Sequence, residues 1–264
     1  MRRYLKLYFT YAKLSLMGKF AYKANLILGV IAFLITQVFA ILTLFLLIRN
    51  VPSIEGYDMY QIGLLYGITN LAVGIDHLFT DRLWSIAYFE VRRGKVDHLF
   101  LRPVPVLFQV IASEIQLEAL GELLTGIALI IVCSLNVTIT PTFGGIFLVI
   151  LGIICSVIII SSFKVITSSI SFIVKRSGPL LQFVYNFLTY VKYPIKIYPV
   201  FIRYILLFVI PLGLALSVPF DQLFNPVYPW YYVALIMVGL TAVFAVIAVV
   251  VWKACEKRYE STGT

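Results

Sequence analysis

Charge is what this sequence has least of. Asp, Glu, Lys and Arg make up 12% of its 264 residues, about half of the ~25% usual for a globular domain. Polarity that sparse cannot clothe a soluble particle, so the solvent for most of the chain is lipid. Catalytic vocabulary is scarce too. The two histidines, His77 and His98, lie far apart and outside any metal-binding spacing, and no GxSxG, HExxH or GxxxxGK[ST] occurs. The last absence excludes a P-loop, so the chain is expected not to be an enzyme and to bind no metal or cofactor of its own. Three cysteines, Cys133, Cys155 and Cys255, show no paired spacing and read as small core residues or isolated thiols. The net charge of +9 is not gathered on any soluble module, which sets aside nucleic acid as a partner. No small-residue cleavage pattern follows the first apolar run, so the N-terminal segment is expected to be retained.

What is abundant is apolar length. Runs at 25–48, 59–80, 106–135, 143–174 and 230–252 predict membrane-crossing helices. The first, at ~1.5 Å rise per residue, reaches ~36 Å against a ~30 Å hydrocarbon core. Residues 1–24 alternate basic and bulky apolar side chains, with Arg3, Lys6 and Lys13 near one face and Leu7, Tyr8, Tyr11 and Leu14 near another. That pattern predicts a helix lying in the headgroup region, cations toward anionic lipid. Between 177 and 229 stand seven of the eleven prolines. Broken apolar helices persist at membrane depth only where protein or a water-filled cavity covers their backbone. Two layouts fit: 178–193 spans and 199–218 dips in and returns, or 178–198 lies on the surface and 200–219 spans. Both give six crossings in an all-α integral membrane protein, and no internal repeat of the kind seen in secondary transporters is visible.

Cations mark one side. With the N-terminus in the cytoplasm, the N-terminal segment, the 81–103 block, the 164–176 region and the tail at 253–264 hold 17 of the 21 Lys and Arg residues, as the positive-inside rule requires. Glu114, Glu118 and Glu122 follow at i, i+4 and i+8 on one face of the run at 106–135. They read either as a stripe against a partner helix or as a substrate-facing or proton-sensing line. Asp76 and His77 read as a snorkelling cap at the end of the second span. Tyr185, Tyr190, Tyr193 and Tyr198 suit an exit path or an interfacial aromatic belt.

The stretch EVRRGKVDHLFLRP, residues 90–103, is a dense charged block between two apolar runs. Gly94 breaks the emerging helix, Lys95 to Leu101 can make two turns with Val96, Leu99 and Phe100 on one side, and Pro103 forces a stop. The block is either a knob read by an aqueous partner or a positive loop with accidental amphipathicity.

The pattern V-R-x-G-x-V-D-x-L-x-L-R-P at Val91–Pro103 resembles the small permease subunits of the type-2 ABC exporter family. YLKLYFTYAKLSL with AYKANLILG, NVPSI-x-GY, LGELLTGIALI, YPIKIYPVFIR and FVIP match in order, so the resemblance covers essentially the whole chain. It implies an exporter in the bacterial cytoplasmic membrane, and an apolar, aromatic lumen suits a hydrophobic or amphipathic substrate. It also implies a dimer of two six-span subunits, the second a paralogous permease rather than a copy of this one. Two copies of a separate ATP-binding subunit, carrying ATP and Mg, would drive it. By position, Arg92, Gly94, Lys95, Val96, Asp97, Leu99, Arg102 and Pro103 become the coupling helix that docks on that subunit. Residues 1–24 become the family's interfacial connecting helix. The resemblance favours the layout with a short fifth span at 178–193 and re-entrant helices at 199–218, with Pro194, Tyr198, Pro199 and Pro211 at the gate. That layout places Lys192, Lys196 and Arg203 outside, against the charge count. The alternative is a non-transporting scaffold or channel module, in which residues 92–103 would tolerate charge scrambling.

Overall fold

The structure, a computed structural model, describes residues 2–48, 53–137 and 142–261. All regular elements among them are helical. Helix α1 (Arg2–Ala21) is followed by α2 (Lys23–Ile48) and α3 (Met59–Thr80). Asp58 caps α3: its side chain accepts from the Gln61 amide while the Gln61 side chain accepts from the Asp58 amide, satisfying two donors that a helix start leaves open. The chain continues as α4 (Arg82–Ser85), a π turn (Ile86–Glu90) and the one-turn helix α5 (Asp97–Phe100). Gly94 takes φ +63° at the break, as the charged block leads one to expect.

The run at 106–135 is not one helix. It divides into α6 (Val106–Ala112), a 3-10 turn (Leu117–Ala119) and α7 (Leu120–Ser134). The break at 113–116 survives because its amides find distant acceptors: Ile115 N donates to Ser15 Oγ and Gln116 N to the Leu78 carbonyl, both at 3.0 Å. Helix α8 (Phe143–Val174) starts on a Thr142 cap and ends at Lys175 with φ 63°. Its 32 residues exceed a ~30 Å core by many residues. Then come α9 (Gly178–Val191), α10 (Val200–Tyr204) running into a π turn (Ile205–Val209), α11 (Leu212–Phe224) and α12 (Trp230–Glu256).

Among the described residues, five helical stretches are long and apolar enough to cross a membrane: Lys23–Leu46, Met59–Thr80, Leu117–Ser134, Phe143–Val174 and Trp230–Glu256. A sixth arises if Val200–Val209 and Leu212–Phe224, bent by 104°, make one broken span. Helix α9, with 14 residues, rises only ~21 Å and is not among them. The expected span at 178–193 is therefore shorter than drawn. An ion pair between Lys196 and Asp221 (3.1 Å) ties the chain ahead of α10 to the last turns of α11, bringing the two ends of the bent pair together.

Helix α3 is the axis of the bundle, with 72% of its most apolar stretch buried against 6% for α2. It packs on α7 through small residues: a Cβ at Gly126 would stand 2.9 Å from Leu71 N and one at Gly67 3.0 Å from the Gly126 carbonyl. Two apolar cores result. The larger surrounds α3, α8, α11 and the start of α12. The smaller gathers Leu83, Val91, Val96, Leu99, Phe172 and Trp252 at the end that carries most of the cations.

Candidate functional site

The charged block is held rather than loose. Val96 and Leu99 are 0% and 2% exposed and sit in the smaller core. Gln109 Nε2 donates to the carbonyls of Leu99 and Val104, both at 2.8 Å, tying α5 to α6. Arg102 donates to the Tyr11 hydroxyl of α1 at 2.9 Å. What remains outward is Arg92, Arg93, Lys95, His98, Leu101 (85% exposed), Arg102 and Pro103. Two corrections follow. The expected two-turn helix is a single turn, because the φ of Gly94 delays its start until Asp97. Val96 and Leu99 face the bundle and anchor the knob, so they offer nothing to a docking partner. Leu101 and His98 are on the outward face and were not singled out. Their exposure depends on which way one short turn is rotated by its core contacts.

Asp97 is also engaged from within. The Tyr259 hydroxyl donates to its Oδ1 and Ser261 Oγ to its Oδ2 (2.6 Å). These bonds hold the carboxyl below the usual carboxylate range. The Tyr259 phenol is shifted up, first by burial and then by its bond to Asp97. Its ring stacks on Phe100 with centroids 4.7 Å apart, and Lys175 Nζ donates to the Glu260 carbonyl at 2.6 Å. The chain after α12 thus folds over the knob. No motif in the sequence announces that contact.

Inside the bundle, polar groups form paired networks. Lys164 of α8, 1% exposed, lies 2.6 Å from Asp76 and 3.2 Å from Asp81. Ser161 donates to Asp76 at 2.7 Å. Asp76, 0% exposed, is therefore an interior ion-pair partner and not a snorkelling cap. Lys164, read as one of the flanking cations, belongs to this pair. A second chain runs Asn70, Gln37, Glu122 and His77 at 3.0, 3.2 and 2.6 Å.

The three glutamates do not form one stripe, since the break after α6 rotates them apart. Glu118 pairs with Lys19 (2.9 Å), Glu122 with His77, and Glu114 sits in the break. Glu114 and Tyr185 share a cleft of about 450 Å³, and Tyr193 is not part of it. Among the described residues no group of three His, Cys, Asp or Glu side chains is placed to hold a metal ion.

At the opposite end, Tyr57, Lys196 and Asp221 form a triad. Lys196 Nζ donates to the Tyr57 hydroxyl at 2.8 Å, and that hydroxyl donates to Asp221. Burial, followed by the bond to Asp221, pushes the Tyr57 phenol up to about 12. Tyr198 donates to the Tyr190 carbonyl (2.9 Å), Arg203 to the carbonyls of Lys196 and Tyr198, and Lys192 lies 4.5 Å from the centre of the Tyr66 ring. The three cations that disturbed the charge count are thus used internally. Pro194, Pro199 and Pro211 each immediately precede a helical segment, where the missing amide costs nothing.

Fold and site together define a multi-pass, all-helical membrane protein with a structured, basic knob at one end. The chain belongs to the ABC-2 family transporter proteins, whose family model matches residues 34–263, from within α2 to beyond the folded-back tail. It is accordingly a membrane permease of an ABC transporter, of a family that works with an ABC ATP-binding subunit. No curated protein matches the sequence.

Proposed function

We propose that the chain is the transmembrane subunit of an ATP-driven exporter that moves a hydrophobic or amphipathic substrate across the cytoplasmic membrane. A separate ATP-binding subunit, present in two copies, supplies the energy and holds ATP and Mg; a paralogous permease completes the pair. N- and C-termini face the cytoplasm, which puts the knob in water on the same side as ATP.

One observation carries this reading: the knob has an apolar inner face locked into the bundle and, beside the folded-back tail, an outer face on which the side chains of Arg92, Lys95 and Arg102 are exposed. Val96 and Leu99 pack with Phe172 and Trp252 of α8 and α12, while Arg92, Lys95 and Arg102 point outward. A push on the outer face reaches α3 through α4, and reaches α8 and α12 through the shared core. A motor can bias only those states it contacts differently, and this rigid linkage gives it a handle. The bent pair α10–α11 is re-entrant from the far side, where the Tyr57–Lys196–Asp221 triad closes its base.

The test is capture of an ATP-binding subunit from native membranes by tagged permease. We expect wild type to retain it and the Arg92→Glu/Lys95→Glu variant, which alters only exposed side chains, to lose at least about tenfold of it. Equal capture by both, or no ATP-binding subunit with either, would overturn the reading and favour a scaffold or channel.

A further inference from the structure

The cleft of about 450 Å³ beside the ion-pair network is of ligand size, and its lining is selective. Three aromatic side chains from three helices wall it: Phe33 of α2, Trp84 of α4 and Tyr185 of α9. Most polar groups that face it are already committed. Asp81 holds Lys164, His77 holds Glu122, and Gln116 accepts from Lys19 at 3.0 Å. Gln182 bonds Asn186 and Tyr88, both at 3.4 Å. Glu114 is different: among the described residues it has no hydrogen bond and no cation within ion-pair distance. It also lines a neighbouring cleft of about 460 Å³ with Lys19, Tyr22 and Asn25, so the residue borders both clefts.

These features choose a ligand chemistry. An anion would meet the Glu114 and Asp81 carboxylates, and the cations around the cleft, Lys164, Lys19 and Arg82, are bound to Asp76, Glu118 and Glu90. A neutral apolar molecule would strip water from Glu114 and return nothing. A cation with flat aromatic surface satisfies both demands, its charge on the carboxylate and over ring faces, its body between the aromatic walls. We propose that this cleft is the recognition site for a planar aromatic cation and that Glu114 reads its charge. The proposal rests on the permease reading for its meaning in transport, but the site itself needs no motor.

Ethidium is the probe, added to nuclease-treated, detergent-purified permease without any ATP-binding subunit and followed by fluorescence polarisation. Wild type binds ethidium, and Glu114→Gln weakens binding about tenfold, the worth of one partly buried charge pair. Glu114→Lys abolishes it and admits the anion 8-anilinonaphthalene-1-sulfonate instead. Trp84→Phe removes the tryptophan quenching that ethidium causes, whereas Trp230→Phe leaves it. Retained ethidium affinity in Glu114→Gln, or equal affinity of wild type for the anionic dye, would overturn the assignment. Because no ATPase is present, failure here leaves the docking of the knob untouched, and failure of capture leaves the cleft untouched.

Discussion

Lys164 shows how a single residue can be visible in a sequence and still be misplaced. It stands ten positions before the end of α8, close enough to Lys175 and Arg176 to look like part of a basic flank. What assigns it to the interior is Asp76 on another helix, and the pairing of 76 with 164 is a tertiary fact that no local spacing records. A buried charge without its partner is far more costly than the pair is valuable. Lys164→Met should therefore lower unfolding free energy in detergent by about 3–5 kcal/mol. The double variant Asp76→Leu/Lys164→Leu should recover most of it. Thermal unfolding of the three proteins decides; a double variant as weak as the single one would mean that the pair does more than neutralise itself. The same reasoning explains the glutamates. Their residue types were legible, but their partners, Lys19 and His77, lie on other elements.

At the scale of elements, hydropathy located α2, α3, α8 and α12 to within a few residues, because twenty or more apolar residues leave few alternatives to a spanning helix. It missed the break between α6 and α7. The sequence ASEIQLEA has neither proline nor glycine, and its glutamates keep helical spacing. The break exists because Ser15 and the Leu78 carbonyl accept the amides it frees. Close helix contacts were likewise unreadable, since a glycine in an apolar run does not say what faces it. Gly126 and Gly239 are equally plain in the sequence, yet one touches α3 and the other meets nothing within 4 Å. Gly126→Leu should cost about 1–3 kcal/mol through overpacking. Gly239→Leu should stay within about 0.5 kcal/mol of wild type, as substitutions away from packed contacts usually do. Melting curves of the two proteins in one detergent separate them.

At the scale of the whole molecule, the asymmetry of Lys and Arg was the most informative feature of the sequence, and three of its four exceptions have structural employment: Lys192 on Tyr66, Lys196 on Asp221 and Arg203 on backbone carbonyls. The proposed orientation has a direct check. All three native cysteines are buried, so a single introduced thiol can be labelled over a low background. His98→Cys, on the knob, should react with a membrane-impermeant maleimide only in inside-out vesicles, and Glu55→Cys, exposed near the opposite end, only in right-side-out ones. The reverse pattern would invert the topology and with it the side from which a motor could act.

The small core under the knob has a consequence in time. Val96 and Leu99 come early in the chain, but the surfaces they pack on include Trp252 and Cys255 near the end of α12, and Asp97 waits for Tyr259 and Ser261. During synthesis the charged block leaves the ribosome more than a hundred residues before the parts that hold it in shape. A nascent chain stalled ahead of α12 therefore carries the whole charged block without Trp252, Cys255 and Tyr259, which complete its packing. Only a chain that has completed α12 can show the block in its packed form, and under the proposed coupling the recruitment of an ATP-binding subunit becomes a checkpoint on completion.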